Sequence, residues 1–583
     1  MSPSLWTPDW QDHWDPEVGL WCTDGPGHTV SVRGLTRLHP GREASLRLVQ
    51  AALVGQLDRI EVARVLGALR QMQVTAPGKH HGCFRWYWEE PEPLDTNAAF
   101  FTIINLLALH LCFRDKLDAA SQGLLAAMFA DARLWFVRAV EERQVYYPNK
   151  YLGDLVCAWL LLEVTGAEDT RPPAPLPKRE GGIGTGGGLA QAMLDAAAYW
   201  QENGWGWGEH MSDGYCAVCL QELSLLLLFA ERLPEEVRRR YRALLADLLA
   251  IEDAFDGGIR VPAIRSYAFS RSPQHTNYRD RVRPWDPGAA EIPHAEHGPA
   301  LENLFALRGW HDLVPSRAEA QRNTCFPCFG GAAAVGRQEP DIRLGSMTRY
   351  PIMPGAEHDT WGLCWQSFPV CLWRPVGDWG FLQWEVKAGD RIGAHPATGS
   401  FFTSYGNAAL APGLNPPLVG RTWAVQQGGN VAALRIMPAL QAGWEYLCDR
   451  FRLIEGHAQV QEQPEQEGLR QLLLTYPERT VAVACLPLGG TPEVILRGGG
   501  ESPLDWELRY AEKALEARRA VVTLWGLTLD GPIAQAPVLE PDPEAPRVPR
   551  DPEEQAWLLT WRWPGTEWRL RIDPLAEDPF RLA

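Results

Sequence analysis

"NTCFPCFGGAAAVG", residues 323–336, marks the point at which the periodicity of this chain changes, and with it the kind of fold each side can make. Before it, apolar residues recur at three- and four-residue spacing. The stretches are "EASLRLVQAALVGQLDRIEVARVLGALRQMQ" from residue 43, "AFFTIINLLALHLCF" from 99, "LDAASQGLLAAMFADARLWFVRAVEER" from 117, "LGDLVCAWLLLEV" from 152, "LAQAMLDAAAYWQE" from 189, "CAVCLQELSLLLLFAERL" from 216 and "EEVRRRYRALLADLLAIED" from 235. Such spacing predicts at least seven helices. With no strand between them, they must cover their apolar stripes with one another, as a bundle, a solenoid or a closed ring.

After residue 336 the period is two. "WGFLQWEVKAGD" from 379, "RTVAVACLPL" from 479, "RAVVTLWGLTLDG" from 519 and "QAWLLTWRWPGTEWRLRIDPL" from 555 alternate, or run in short β-branched and aromatic stretches between Gly, Pro and Asp. They predict an antiparallel β-sandwich whose last hairpin turns at Pro564 and Gly565. "APVLEPDPEAPRVPRDPEE", 536–554, reads as an irregular Pro-rich excursion, and "TRPPAPLPKREGGIGTGGG", 170–188, as a surface loop. The two domains are expected at 1–322 and 323–583.

Composition narrows the partners. The net charge of −17 over 583 residues, without a Lys/Arg-rich arm, argues against nucleic acid. No apolar run is seen that approaches the ~18 residues needed to span a bilayer, and no secretory leader is seen, so a soluble cytoplasmic protein without membrane contact is the expectation. The 12 cysteines fall mostly in apolar stretches and are expected to be reduced; neither Cys216 with Cys219 nor Cys325 with Cys328 has a second ligand pair nearby, so no metal and no cofactor is expected. There are 26 tryptophans, which either fill cores or offer flat faces for stacking on sugar rings.

Three segments carry candidate chemistry. In "YYPNKYLGDLVCAWLLLEVTG", 146–166, Pro148 suits the first turn of a helix, placing Asn149 and Lys150 at an N-terminus where free N–H groups attract an anion, with Asp154 where the apolar face begins. A carboxylate-bearing ligand fits there; alternatively Asn149 only satisfies its own helix end. "WQENGWGWGEHMSDGYCAVCLQEL", 200–223, puts Trp205, Trp207, Glu209, His210, Asp213 and Tyr215 in a glycine-punctuated loop that feeds an apolar helix. "AGDRIGAHPATGSFFTSYGN", 388–407, sets His395 just before a strand, at an edge of the sandwich.

These segments, in this order, resemble the heparinase II/III-like polysaccharide lyases. That family carries an Asn-His pair at the start of an inner helix, then a "DG…Y" segment, then His-x-Asp-x-x-Ser-Phe early in the sandwich. Here Asn149 stands in the Asn place, "SDGYCAVCLQEL" supplies Tyr215, and His395, Ser400 and Phe401 keep the third spacing. Lys150 replaces the family histidine and Ala397 the aspartate. The resemblance implies an N-terminal (α/α) toroid followed by a C-terminal antiparallel β-sandwich, and β-elimination on a uronic-acid-containing oligosaccharide or polysaccharide. It implies Asn149 as the group that neutralises the uronate carboxylate, helped by Lys150 or His210, and Tyr215 as base, acid or both, partnered by His210 or His395. An active phenolate at neutral pH needs positive charge nearby, because a free tyrosine titrates at about 10.

Two further segments are expected to bind the sugar. In "GIRVPAIRSYAFSRSPQHTNYRDRVRPW", 258–285, Arg260, Arg265, Arg271, Arg279, Arg281 and Arg283 are opposed only by Asp280, with His275 and Tyr278 inside the same island. In "HHGCFRWYWEEPEPLDTNAAFF", 80–101, Arg85, Trp88, Asp95 and Asn97 precede a buried helix, which suits a subsite. Two other readings stay open. One is an inverting glycoside hydrolase using two carboxyls from Glu89, Asp95, Glu209 and Asp213. The other is a carbohydrate-binding protein that has lost catalysis through the changes at Lys150 and Ala397.

Overall fold

The computed structural model describes residues 9–583 apart from 26, 28, 33, 168–187, 207, 258, 267–270, 275, 287–298, 329–330, 351–367, 376, 389–390, 394–420, 439–444, 501, 512–519, 547–554 and 577, and no side chain at 386–388, 391–393, 437 or 438. The chain forms two compact units. Met1–His210, Gly214–Gly257 and His275–Glu319 make the first; Met211–Asp213, Gly258–Gln274 and Ala320–Ala583 make the second.

The first unit is helical. Its long elements are α1 (Gly41–Leu53), α2 (Val62–Met72), α3 (Asn97–Phe113), α4 (Ala119–Glu141), α5 (Pro148–Thr165), α6 (Leu189–Glu202), α7 (Asp213–Phe229) and α8 (Glu235–Ala254). The first periodic stretch makes two helices rather than one, because the chain leaves α1 through Gly55 at φ +70°, a left-handed conformation that glycine adopts without strain. Within the unit α1 packs on α3, α3 on α5, α4 on both α2 and α5, and α6 on both α5 and α8.

Sequence pattern explains which helices lie deepest. α8 buries a stripe, Val237, Tyr241, Leu244, Leu245, Leu248 and Leu249, and leaves the positions between them partly or fully exposed until its last turn, Ile251–Ala254, which is buried throughout. α5 instead buries every residue from Tyr151 to Leu162, and α7 nearly every residue from Cys219 to Phe229, so neither has a wet face. α3 corrects the expectation that no apolar run is of membrane length: Asn97–Lys116 is long and apolar enough to cross a bilayer, but 61% of its most apolar window is buried inside the structure, as in the core helix of a soluble fold.

The second unit is built of antiparallel sheets. One, of nine strands, runs in the order Glu493–Gly499, Ser502–Ala511, Tyr446–Ile454, Trp379–Ala388, Val370–Trp373, Ile342–Met347, Ala332–Glu339, Asn323–Cys328, with Arg391–Gly393 also paired to Trp379–Ala388. Another, of seven, runs Gln459–Gln466, Leu469–Thr475, Thr480–Pro487, Ala520–Thr528, Asn430–Pro438, Arg421–Gln427, Arg349–Tyr350. Side chains from the two meet at a buried ion pair. The Arg435 guanidinium donates to the Asp449 carboxylate at 2.8–3.2 Å, Trp525 Nε1 donates to the same carboxylate at 2.9 Å, and the guanidinium lies 3.7 Å from the centre of the Trp384 ring.

The strands Thr480–Pro487 and Ala520–Thr528 are buried at almost every position instead of alternating. The cause is a third layer that the sequence reading did not anticipate. A four-stranded sheet, Val538–Pro541, Trp557–Trp563, Thr566–Ile572 and Phe580–Leu582, packs Trp561, Trp563, Trp568 and Leu570 against Leu434, Ala484 and Leu524. The hairpin does turn at Pro564 and Gly565. The excursion read as irregular contributes the strand Val538–Pro541; its residues 547–554, like nearly all of the loop at 170–188, lie outside the described residues.

Gly526 sits where these layers are tightest, since a Cβ there would lie 2.7 Å from Trp561 and 2.9 Å from Trp563. Gly526→Ala is expected to destabilise the second unit by roughly 1–3 kcal/mol, the usual cost of overpacking. Urea denaturation followed by tryptophan fluorescence measures it; an unchanged midpoint would mean that the tryptophan layer does not press on this strand.

Candidate functional site

Pro148 opens α5, and the residue before it, Tyr147, provides no side-chain cap. The backbone N–H of Asn149 is satisfied from elsewhere: it donates to Glu209 Oε2 at 2.7 Å. Glu209 is fully buried and begins a short 3-10 turn, Glu209–Met211, that leads directly into α7. A carboxylate at the positive end of a helix is electrostatically favoured, and more so away from water. This bond ties the start of α5 to the turn that carries His210, also buried, and thence to Tyr215, the third residue of α7 and half-buried. The Asn149 side chain is buried too. Among the described residues its Oδ1, an acceptor, has no hydrogen-bond partner.

One turn along α5, Lys150 Nζ and Asp154 Oδ2 are 2.7 Å apart and both side chains are largely buried. Burial works against the Lys150 ammonium, but Asp154 overrides it and keeps the lysine charged; burial pushes Asp154 up, with Lys150 pulling the other way. Lys150 was expected to meet a substrate anion. Its charge is already matched inside the helix.

Beyond this pair lies a group that the sequence reading passed over. Glu222, in α7, is buried, and among the described residues neither carboxyl oxygen has a hydrogen-bond partner. Gly153 makes room for it, since a Cβ there would stand 2.9 Å from Glu222 Oε1 and 2.8 Å from the Phe100 ring. Burial first, then the charges of Glu209 and Asp154, push the Glu222 carboxyl well above the usual range, which favours its neutral form. Its only sequence signal is a single acid inside "CLQELSLLLLF".

Several expected sugar contacts have structural work instead. Trp205 is buried and stacks on Trp200 with centroids 5.7 Å apart, so it offers no open face. Tyr278 is fully buried against Trp310 and Arg281, and burial raises its phenol far above the usual value. Arg85 donates to the backbone carbonyls of Trp88, Glu90 and Gln71 and lies near the Trp88 ring, holding its own loop. Asp95 accepts the N–H of Asn97 at 3.0 Å at the start of α3. The arginine island is not an unopposed patch. Arg260 pairs with Asp213 at 3.0 Å, Arg279 with Asp253 at 3.0 Å and Arg281 with Glu302, acids that come from distant sequence. Arg271 is exposed. Trp207, His275 and His395, with Ala397, Ser400 and Phe401, lie outside the described residues. Among the described residues no group of three or more His, Cys, Asp or Glu side chains is placed to hold a metal ion.

No family model matches the chain, and no curated protein matches it. Among solved structures it is similar to a heparinase III (9% identity, covering 82% of this chain and 75% of that one, TM-score 0.36) and to a second heparinase III with methylated lysines (8%, 91% and 83%, TM-score 0.26). A chondroitin lyase that is a baculovirus envelope protein is also similar (7%, 91% and 90%, TM-score 0.20). At such identities and TM-scores these likenesses decide neither the topology nor the activity.

The raised Glu222 carboxyl has a pH consequence of definite sign. A proton bound more tightly in the folded state gives stability that is fully present below the unfolded value, about 4.3, and is lost as the pH climbs toward the folded value. Glu222→Gln removes that titration. The variant is therefore expected to gain stability relative to the parent as the pH rises from about 4.5 to 8, measured by urea midpoints across the range; a pH-independent difference would mean that Glu222 is already ionised.

Proposed function

We propose that the chain is a polysaccharide lyase that cleaves a uronic-acid-containing glycan by β-elimination, on an (α/α) toroid followed by an antiparallel β-sandwich. The observation that carries this reading is the buried Asn149, fixed by Glu209 at the first turn of α5 and thereby tied to the turn that enters α7 just before Tyr215.

The chemistry fits those groups. The hydrogen on the carbon beside a uronate carboxylate is too weakly acidic to remove while the carboxylate keeps its full charge. The Asn149 side-chain amide N–H is the donor that would disperse it, and it acts most strongly in the transition state, where negative charge builds on the carboxylate oxygens. Tyr215 then takes the hydrogen as a phenolate. The electron pair forms the carbon–carbon double bond, the bond to the glycosidic oxygen breaks, and Tyr215 or His210 returns a proton to that oxygen. Lys150, matched by Asp154, serves by fixing the first turn of α5 and not by meeting the sugar.

The hydrolase reading has less support. Glu209 accepts Asn149, Asp95 accepts Asn97 and Asp213 pairs with Arg260. Glu89 lies 2.5 Å from His39 Nδ1; burial raises its carboxyl, but the hydrogen bonds to His39 outweigh that and leave it below its ordinary value, the wrong direction for a general acid.

A panel of uronate-containing glycans, followed by the near-ultraviolet absorbance of the unsaturated product, is the test. Turnover is expected for at least one. Tyr215→Phe and Asn149→Ala should each lower kcat/KM by about 100-fold or more. New reducing ends without that absorbance, abolished by Glu89→Gln or Asp95→Asn, would establish a hydrolase instead. Tight binding of intact glycan with no product would establish a binding protein.

A further inference from the structure

The helical unit contains a cavity of about 240 Å³ that the mechanism above does not use. It lies between α1, α3 and α7 and the segments 281–286 and 300–303, with Arg42, Asn105, Gln221, Arg281, Trp285 and Glu302 on its walls. The volume suits one six-membered ring with its substituents, and the wall mixes an indole with amide and guanidinium donors, the composition expected of a small polar ligand's site. The cavity backs onto the buried carboxyl cluster, because Phe101 and Gln221 line it while their neighbours Phe100 and Glu222 face Gly153.

Arg42 decides what chemistry the cavity favours. Arg281 is matched by Glu302 on the same wall. Arg42 is not matched: it is exposed, its guanidinium lies 4.7 Å from the centre of the Phe101 ring, and among the described residues it makes no ion pair and donates no hydrogen bond. A planar guanidinium propped on an aromatic face keeps its donors directed outward, in the fork that matches carboxylate or sulfate. Asn105 gives its amide N–H groups to Ser45 and the Phe101 carbonyl, which leaves its carbonyl oxygen as an acceptor for a sugar hydroxyl.

We infer that this cavity binds one acidic residue of the glycan, its anionic group on Arg42 and its ring against Trp285, and so sets the preference for charged over neutral sugar. The inference takes the glycan class from the function proposed above, but not the elimination chemistry.

Calorimetry on the full chain carrying Tyr215→Phe, which keeps bound glycan intact, tests it. The probes are an unsulfated uronate hexasaccharide, its carboxyl-reduced counterpart and a carboxyl-reduced, O-sulfated one. A charge-assisted hydrogen-bonded contact is expected to make the uronate form bind roughly 10-fold or more tighter than the reduced form. Adding Arg42→Ala should cut that ratio several-fold with little change for the reduced form, any remainder being the carboxylate met at Asn149, and Arg42→Lys should restore part of it. Recovery of affinity by sulfate, lost with Arg42→Ala, would assign the contact to sulfate as well. An Arg42→Ala variant that keeps the full ratio overturns the inference, as does failure of all three probes to bind. The two proposals fail separately. Unsaturated product from the parent chain with an unchanged Arg42→Ala ratio removes the cavity and leaves the lyase, whereas an Arg42-dependent ratio without product removes the lyase and leaves the cavity.

Discussion

A single buried hydrogen bond, from the Asn149 N–H to the Glu209 carboxylate, organises the polar interior of the helical unit. A proline-led helix start leaves backbone donors that need acceptors, and an acid taken out of water needs donors. Each supplies what the other lacks, although 60 residues separate them. Because Glu209 stands at the head of a short 3-10 turn, the bond also fixes the rotation at which α7 begins, and hence where His210 and Tyr215 can point.

The charges behind that bond follow from the same shortage of water. Lys150 is kept ionised by an acid four residues on, the spacing that brings two side chains to one helix face. With Asp154 facing the lysine and Glu209 the helix start, Glu222 is left, among the described residues, as a third acid without a paired cation, and burial favours its neutral form. The polar core is therefore one coupled set in which changing one member alters the electrostatics of the others.

How much of this was legible in sequence depends on the range of the interaction. Helix and strand periods are local, so the change near residue 336 and the hairpin at Pro564 and Gly565 were readable. Pro148 located the start of α5 for the same reason. Pairings between remote residues were not. The arginines of 258–285 looked unopposed because Asp213, Asp253 and Glu302 lie elsewhere in the chain. Trp205 looked like a sugar platform because a glycine-rich loop does not announce that Trp200 will stack beneath it. Glu222 was hidden in an apolar run, and Arg42 carried no motif at all; each acquires meaning only from what the fold places, or fails to place, beside it.

The three-layered arrangement of the second unit bears on how it is made. The strands that cover the outer face of the seven-stranded sheet lie between 538 and 582, after every strand of that sheet in chain order. During synthesis the sheet's Leu434, Ala484 and Leu524 thus emerge well before Trp561, Trp563 and Trp568 arrive to cover them. An open apolar sheet face attracts other unfinished chains, so a window for self-association opens between synthesis of the sheet and synthesis of residues 538–582, its length set by ribosome speed over that stretch.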